Sequence, residues 1–266
     1  MWSNRAVAEC IRIHLLEMLL TIKGIIMELT DTAFIIGDIH GELDKLKQLI
    51  ADIPSHVKIL SVGDIIDRGP KSRETIDFIR SSSIQAVKGN HEIMALELLP
   101  LIQQLAEGQE LTKTFMCKLG ASDWFYNGGK DVFTSYNDDY QALLTDLLYL
   151  QSLPLYIETG IKDEEGLELL VSHTWSAYKP LKQASTLTFD FVWNRNQPYA
   201  KKNNTPYYNV FGHTPTDYIL RKKATIPAEP IFYDGSVNID LGAVYNTPTR
   251  GKLCGIYFPS LDYIIV

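Results

Sequence analysis

Thr32-Ala33-Phe34-Ile35-Ile36-Gly37-Asp38-Ile39-His40-Gly41 sets the pattern on which the rest of this chain is built. Residues 32–37 form a short apolar run that ends in glycine and passes at once into an acid and an imidazole. A run of that length and content reads as a buried strand. Asp38 and His40 occupy alternate positions, so on extended backbone both side chains point to one side. The pattern recurs downstream. Residues 57–62 (VKILSV) read as a second strand ending in Gly63-Asp64, and residues 84–88 (IQAVK) as a third ending in Gly89-Asn90-His91. Between them, Leu43, Leu46, Leu49 and Ile50 give residues 42–53 the apolar stripe of an amphipathic helix, and residues 71–80 read as another helix. Strand, polar loop and helix therefore alternate three times between residues 32 and 92. This alternation predicts an α/β fold of stacked layers, with ligands gathered at the carboxyl ends of strands.

Residues 92–152 read as mostly helical, with an aromatic Gly-Gly turn at 124–129. Strands are expected at 167–172, ending at His173, and at 207–211, ending at Gly212-His213. Residues 236–243 and 253–266 read as closing strands, and the polar, Pro- and Asn-rich stretches 197–206 and 222–230 as loops. With no internal repeat or composition break, residues 31–266 are expected to form a single domain with a helical insertion at about 92–152. Residues 1–30 are expected to be an N-terminal extension, helical by the spacing of Leu15, Leu16, Leu19 and Leu20. Arg5, Arg12, Glu17 and Lys23 interrupt its apolar character and no small-residue cleavage site follows, so a signal peptide fits poorly. No stretch is long and apolar enough to predict a membrane-spanning helix.

The 266 residues are 45% hydrophobic and 21% charged, an ordinary globular balance. The net charge of -7 repels a phosphate backbone and argues against nucleic acid as a partner. A small phosphorylated substrate is compatible with it, because a few arginines and cations make a locally positive site. Cys10, Cys117 and Cys254 are far apart and odd in number, which reads as three buried or half-buried thiols in a reducing, cytoplasmic setting.

Four of the six histidines, His40, His91, His173 and His213, follow predicted strands in polar or Gly-rich turns, and only His14 and His56 lie elsewhere. One histidine at a strand end is usually structural. Four of them, with Asp38, Asp64 and Asn90 alongside, point to cation binding. Carboxylate, amide and imidazole donors suit Mn²⁺, Fe or Zn²⁺, the first also being the one that the family resemblance given below implies, and the lack of cysteine among them disfavours a structural zinc site. Two divalent ions roughly 3.5–4 Å apart can share one water and lower its pKa toward ~7.

Three blocks, Gly37-Asp38-Ile39-His40-Gly41, Gly63-Asp64-Ile65-Ile66-Asp67-Arg68-Gly69 and Gly89-Asn90-His91-Glu92, resemble in order and spacing the signature of the phosphoprotein phosphatases among the calcineurin-like metallophosphoesterases. Trp124-Phe125-Tyr126-Asn127-Gly128-Gly129, Val192-Trp193-Asn194-Arg195, Phe211-Gly212-His213-Thr214-Pro215 and Ile239-Asp240-Leu241-Gly242-Ala243-Val244 resemble the bacterial and phage branch. The resemblance spans residues 32–258 and implies a layered β-sandwich flanked by helices, with a dinuclear metal site at strand ends. It implies that Asp38 and His40 hold one ion, that Asp64 bridges, and that Asn90, His173 and His213 hold the other. It makes His91 the general acid with Asp67 as its carboxylate partner, and Arg68, Arg195 and Asn90 the phosphate contacts. A carboxylate beside His91 keeps a proton available near neutral pH, and the planar fork of Arg matches phosphate oxygens.

The implied activity is hydrolysis of a phosphomonoester by a metal-bridging hydroxide, on phosphoserine or phosphothreonine in proteins and on phosphotyrosine as a further substrate. The alternative is hydrolysis of a dinucleoside polyphosphate or another small phosphate ester. Asp67, Glu92 and Thr214 favour the protein-phosphatase branch over the symmetrical dinucleoside tetraphosphatases. A binding module that had lost catalysis would lack ligands or the acid, and none of these is missing. The chain departs from the family pattern at Lys88, where Arg is common, at Thr174-Trp175 after His173, at Leu241 in place of a frequent Thr, and in the stretch Asn246-Thr247-Pro248-Thr249. Met27 lies just before the first strand and reads as a sufficient start. A chain beginning there should keep its fold by circular dichroism and its phosphatase turnover, and loss of either would make residues 1–26 part of the working protein.

Overall fold

All four residues of strand β1 (Ala33–Ile36) are buried, and they divide between two cores. Ala33 and Ile35 face a second sheet, whereas Phe34 and Ile36 face a layer of helices. A strand covered on both faces needs no polar alternation, which is why this segment is an unbroken apolar run. The computed structural model describes residues 31–110, 112–175, 189–198, 202–220, 228–245, 247 and 250–266. The expected helical extension of residues 1–30, with His14 and Cys10, lies outside them, as do Asn246, Pro248 and Thr249.

β1 is the middle strand of a five-stranded sheet. β2 (Lys58–Ser61) runs parallel to it and β3 (Gln85–Ala86) parallel to β2. Helix α1 (Leu43–Ile50) joins β1 to β2 and buries Leu43, Leu46 and Leu49; helix α2 (Ser72–Ser81) joins β2 to β3 and buries Ile76 and Ile79. These are the elements that the apolar spacing predicted. Between β3 and the next strand the chain is helical: α3 (Asn90–Leu96), α4 (Leu99–Ala106), α5 (Lys113–Gly120), one wide turn at Phe125–Gly129, α6 (Lys130–Ser135) and α7 (Tyr140–Ser152). Ile102, Leu119, Trp124, Leu147 and Leu150 from this stretch join Phe34 and Ile36 in one apolar cluster.

The second five-stranded sheet holds β4 (Tyr156–Lys162), β5 (Glu168–Ser172), β6 (Tyr207–Phe211), β7 (Ile231–Tyr233) and β8 (Ser236–Asn238), in the order β4-β5-β6-β8-β7. β5, β6 and β8 are parallel neighbours. Leu169, Val171, Val210 and Val237 on this sheet meet Ile35, Leu60, Val62 and Val87 on the first, giving two sheets with an apolar layer between them. β9 (Cys254–Phe258) returns to pair antiparallel with β1, and β10 (Tyr263–Ile265) pairs antiparallel with β9. Helix α8 (Thr216–Ile219) follows β6.

Three expectations need correction. The strand expected over 236–243 stops at Asn238, because Asn238 and Asp240 turn the backbone: Asp240 N donates to Asn238 Oδ1 at 2.9 Å and Gly242 N to Asp240 Oδ1 at 2.8 Å. The closing segment 253–266 is two strands with a reversal between them, not one. Cys254 is buried as expected, but Cys117 is exposed, because it lies off the Phe115–Leu119 stripe that α5 buries. Among the described residues no helix is long and apolar enough to cross a membrane.

β9 passes the Phe34 ring at Gly255, where a Cβ would lie 2.1 Å from the ring tip, and Phe34 also packs edge-on against Tyr257 at 4.8 Å between centroids. Gly255→Ala should therefore lower the unfolding free energy by about 1–3 kcal/mol, read as a lower midpoint in urea. Phe34→Leu in the same chain should recover part of the loss, and an unchanged midpoint for the single variant would show that the ring swings aside freely.

Candidate metal centre

The side chains singled out in the sequence leave their strands on sharply turned backbone. His40 (φ 49°), Asp64 (φ 48°), Asp67 (φ 75°), Arg68 (φ 68°) and His213 (φ 73°) are five of the nine non-glycine residues with positive φ among those described. Each such residue costs about 1–2 kcal/mol, so its surroundings must hold it in place. Loop-to-loop bonds supply part of the hold: His40 N donates to Asp64 O at 2.8 Å and Gly41 N to Ile65 O at 2.8 Å. The rest comes from Glu92, which is fully buried. Its Oε1 accepts from Ile65 N (2.8 Å) and Ile66 N (3.3 Å), and its Oε2 from Asp64 N (3.0 Å) and Gly89 N (2.8 Å). Burial, with the Asp64 carboxylate adding to it, pushes Glu92 up to about 7 against the pull of these N–H groups.

On one side of Asp64, four donor atoms converge. His173 Nε2 lies 3.0 Å from Asn90 Oδ1, 3.1 Å from His213 Nδ1 and 3.4 Å from Asp64 Oδ1, and His213 Nδ1 lies 2.8 Å from Asn90 Oδ1. His173 Nδ1 donates to Val62 O at 2.9 Å, which leaves Nε2 as a lone pair. That lone pair faces an amide oxygen and a carboxylate oxygen. A proton on His213 Nδ1 would serve one of these three acceptors at most, and a proton on its buried Nε2 would find no partner; in either tautomer acceptors outnumber donors, and a shared cation satisfies them. Burial lowers His173 and takes His213 down to about 2, so both rings are neutral and suited to coordination. The donor set fits a divalent metal.

On the other side, Asp64 Oδ2 lies 3.6 Å from His40 Nε2 and 3.9 Å from His91 Nε2. Asp64 thus presents one oxygen to each group, the geometry of a bridging carboxylate. Burial would raise its pKa, but His173, His91, His40 and His213 together hold it well below the carboxylate range. His40 Nδ1 donates to Ile66 O at 3.0 Å, and its Nε2 accepts from Arg68 Nη1 at 3.0 Å, so a guanidinium stands where a cation would bind. Burial takes His40 down to about 3. Asp38 is buried beside this group but outside its tight cluster, with both oxygens facing His213 N at 3.2 and 3.0 Å. Burial, with Asp240 and Asp64 nearby, raises its carboxyl well above the usual range.

His91 makes a 2.6 Å contact from Nδ1 to Asp67 Oδ2, with both residues buried, and turns Nε2 toward Asp64 Oδ2, 3.9 Å away. Burial alone would lower His91; Asp64 and Asp67 outweigh it and hold the ring above its ordinary value. Burial also raises the Asp67 carboxyl, against the N–H groups of His91 and Trp124. Trp124 Nε1 donates to Asp67 Oδ1 at 2.8 Å. The sequence reading assigned no chemistry to Trp124, to Glu92 or to the buried Asp240, although each lay inside a quoted motif. No periodicity or spacing reveals which polar atom a buried side chain will meet.

Arg195 Nη1 donates to Thr214 Oγ1 at 3.2 Å, which places its guanidinium on the His213 side, whereas Arg68 lies against His40. Lys88 is turned toward the end of α7, where its Nζ donates to Gln151 O at 2.9 Å. Thr174 is buried and bonds Asp190 O at 2.7 Å, and Leu241 is buried between the sheets. His56 is exposed and remote from the cluster's bonds.

Comparison with known proteins agrees with this geometry. The family described as calcineurin-like phosphoesterase matches residues 32–234. Serine/threonine-protein phosphatase 1 of Salmonella typhimurium is 29% identical over 188 residues, covering 68% of this chain and 78% of its own. The asymmetrical bis(5'-nucleosyl)-tetraphosphatase PrpE of Bacillus cereus is 26% identical over 260 residues, covering 87% and 92%. A solved structure provisionally named a diadenosine tetraphosphatase superposes with a TM-score of 0.54 at 18% identity, over 89% of this chain and 93% of that one, and shows the shared fold. Paired sheets, an Asp64 that faces two histidine groups, and a family match over most of the length together make this chain a phosphatase of the calcineurin-like phosphoesterase family.

Proposed function

We propose that this chain hydrolyses phosphomonoesters on proteins, at phosphoserine and phosphothreonine and secondarily at phosphotyrosine. The observation that carries this reading is the buried Asp67–His91 pair, 2.6 Å apart, beside the Asp64 carboxylate. An alkoxide is a poor leaving group, and a positioned imidazolium that protonates it removes that obstacle. His91 is the proton donor through Nε2, and Asp67 fixes the ring with Nε2 toward Asp64. Asp38 and His40 would hold one divalent ion, Asn90, His173 and His213 the other, and Asp64 would serve both. This mix of oxygen and nitrogen donors suits manganese, Fe or Zn²⁺, and the family resemblance puts manganese first. Bound there, such ions supply Lewis acidity to a water and to the phosphoryl oxygens. Arg68 against His40 and Arg195 on the His213 side, with the Asn90 amide, orient the phosphate. The free thiols of Cys117 and Cys254 suit the cytoplasm.

A second reading is hydrolysis of dinucleoside polyphosphates. It is favoured by the similarity to PrpE, which reaches over more of this chain than the similarity to the Salmonella phosphatase. Rates on a phosphoserine peptide and on diadenosine tetraphosphate, side by side with manganese, decide between the two, and the proposal requires the peptide to be the better substrate by kcat/KM.

Asp64→Asn removes charge from both cation groups at once and should abolish turnover while lowering bound metal, measured by elemental analysis. His91→Asn should cut kcat on the phosphopeptide by about 10²–10³ with metal content unchanged. Loss of metal from the His91 variant would instead make this residue a ligand, beside His40 and Asp64. Arg68→Lys keeps the charge but loses the fork, and should lower kcat/KM about tenfold; unchanged kinetics would remove Arg68 from the phosphate site.

A further inference from the structure

We propose that Trp124 is a positioning residue for proton transfer: its indole N–H fixes the Asp67 carboxylate so that Asp67 in turn aims His91 at the leaving oxygen. This rests on the reading of His91 as proton donor. Trp124, Asp67 and His91 are buried in series, with Trp124 Nε1 on Asp67 Oδ1 at 2.8 Å and His91 Nδ1 on Asp67 Oδ2 at 2.6 Å. Each carboxylate oxygen therefore has one donor, and the plane of the carboxylate is set from both ends. Without the indole N–H, Oδ1 would be a buried acceptor with no side-chain donor. The carboxylate would then rotate or take up a proton, and either change loosens the His91 ring.

The surrounding backbone is shaped to deliver that N–H. A Cβ on Gly129 would lie 2.4 Å from the indole, so only a glycine lets the turn close over Trp124. Gly128 sits at φ 122° and ψ -5°, inside the wide turn Phe125–Gly129, and a Cβ there would lie 2.8 Å from Arg68 N. The segment 124–129 thus presses on Asp67 through the indole and on Arg68 through Gly128. The proton donor's partner and a phosphate contact are braced by one short stretch of the helical region. Any buried indole N–H needs an acceptor, and Trp124 spends its single donor on the residue that orients the acid.

The test uses the full-length manganese-loaded chain and two substrates that differ in leaving group. Trp124→Phe should lower kcat on a phosphoserine peptide about tenfold and on p-nitrophenyl phosphate by less than about threefold, since an aryl oxide needs little protonation. Benzothienylalanine at position 124 keeps the bicyclic shape and lacks the N–H; it should reproduce that pattern with the packing intact. In a His91→Asn background, Trp124→Phe should add no further selective loss. In metal-free protein, the proton between His91 Nδ1 and Asp67 should shift or broaden in the NMR spectrum of the Trp124 variants. Equal losses on both substrates, or a selective loss that persists without His91, would overturn the inference. If His91→Asn is selective for the poor leaving group and neither Trp124 change is, this inference alone falls. If His91→Asn shows no selectivity, the proton-donor reading falls and takes this inference with it.

Discussion

Glu92 carries out no reaction step, yet the centre is built around it. Its two oxygens take four main-chain N–H groups, from Asp64, Ile65, Ile66 and Gly89. Those bonds tie the loop after β2 to the start of α3. Asp64, Asp67 and Arg68 on that loop adopt left-handed backbone that an L-residue avoids, and Asn90 and His91 open the helix that follows. The hold on these unfavourable conformations thus comes from groups outside the chemistry: the Glu92 carboxylate at Asp64, the Ser72 hydroxyl that accepts from Asp67 N, and the main-chain bonds between loops. The arrangement leaves Asp64 free to face two clusters and His91 free to turn Nε2 toward Asp64.

A second constraint follows from burial. Asp38, Asp64, His173 and His91 are almost fully withdrawn from water, and Asn90 and His213 nearly so. Burying this many acceptors around one point is costly unless a cation joins them. The fold accepts the cost only at the carboxyl ends of its strands, where backbone amides and loop turns are free to organise polar groups. Elsewhere both cores are apolar, and the two sheets and their helices form a rigid frame for loops that carry chemistry.

How far the sequence reached depended on what kind of signal each residue carried. β1, α1, β2 and α2 were legible because their apolar periodicity is a direct record of which faces are buried. The residues Asp38, His40, Asp64, Asn90, His173 and His213 were legible because rare, chemically suited side chains cluster after those strands. The pairing of His91 with Asp67 was implied by motif, and the structure places the two side chains 2.6 Å apart. Trp124 was not legible: as a buried aromatic in a helical stretch it reads as packing, and only coordinates show where its one donor goes. The end of β8 was overrun for a related reason, since Asn238 and Asp240 use their side chains to cap their own backbone, a local choice that hydrophobic pattern does not encode.

The placement of β9 beside β1 has a consequence for the chain as it is made. β1 is the central strand of its sheet, yet one of its two partners is Cys254–Phe258, near the end of the sequence. Asp38 likewise meets His213, 175 positions later. A ribosome that has released only the first two hundred residues holds a chain with an open sheet edge and a donor set that lacks His213. The donor cluster beside Asp64 therefore closes only once His213 has been made and has folded against Asn90 and His173.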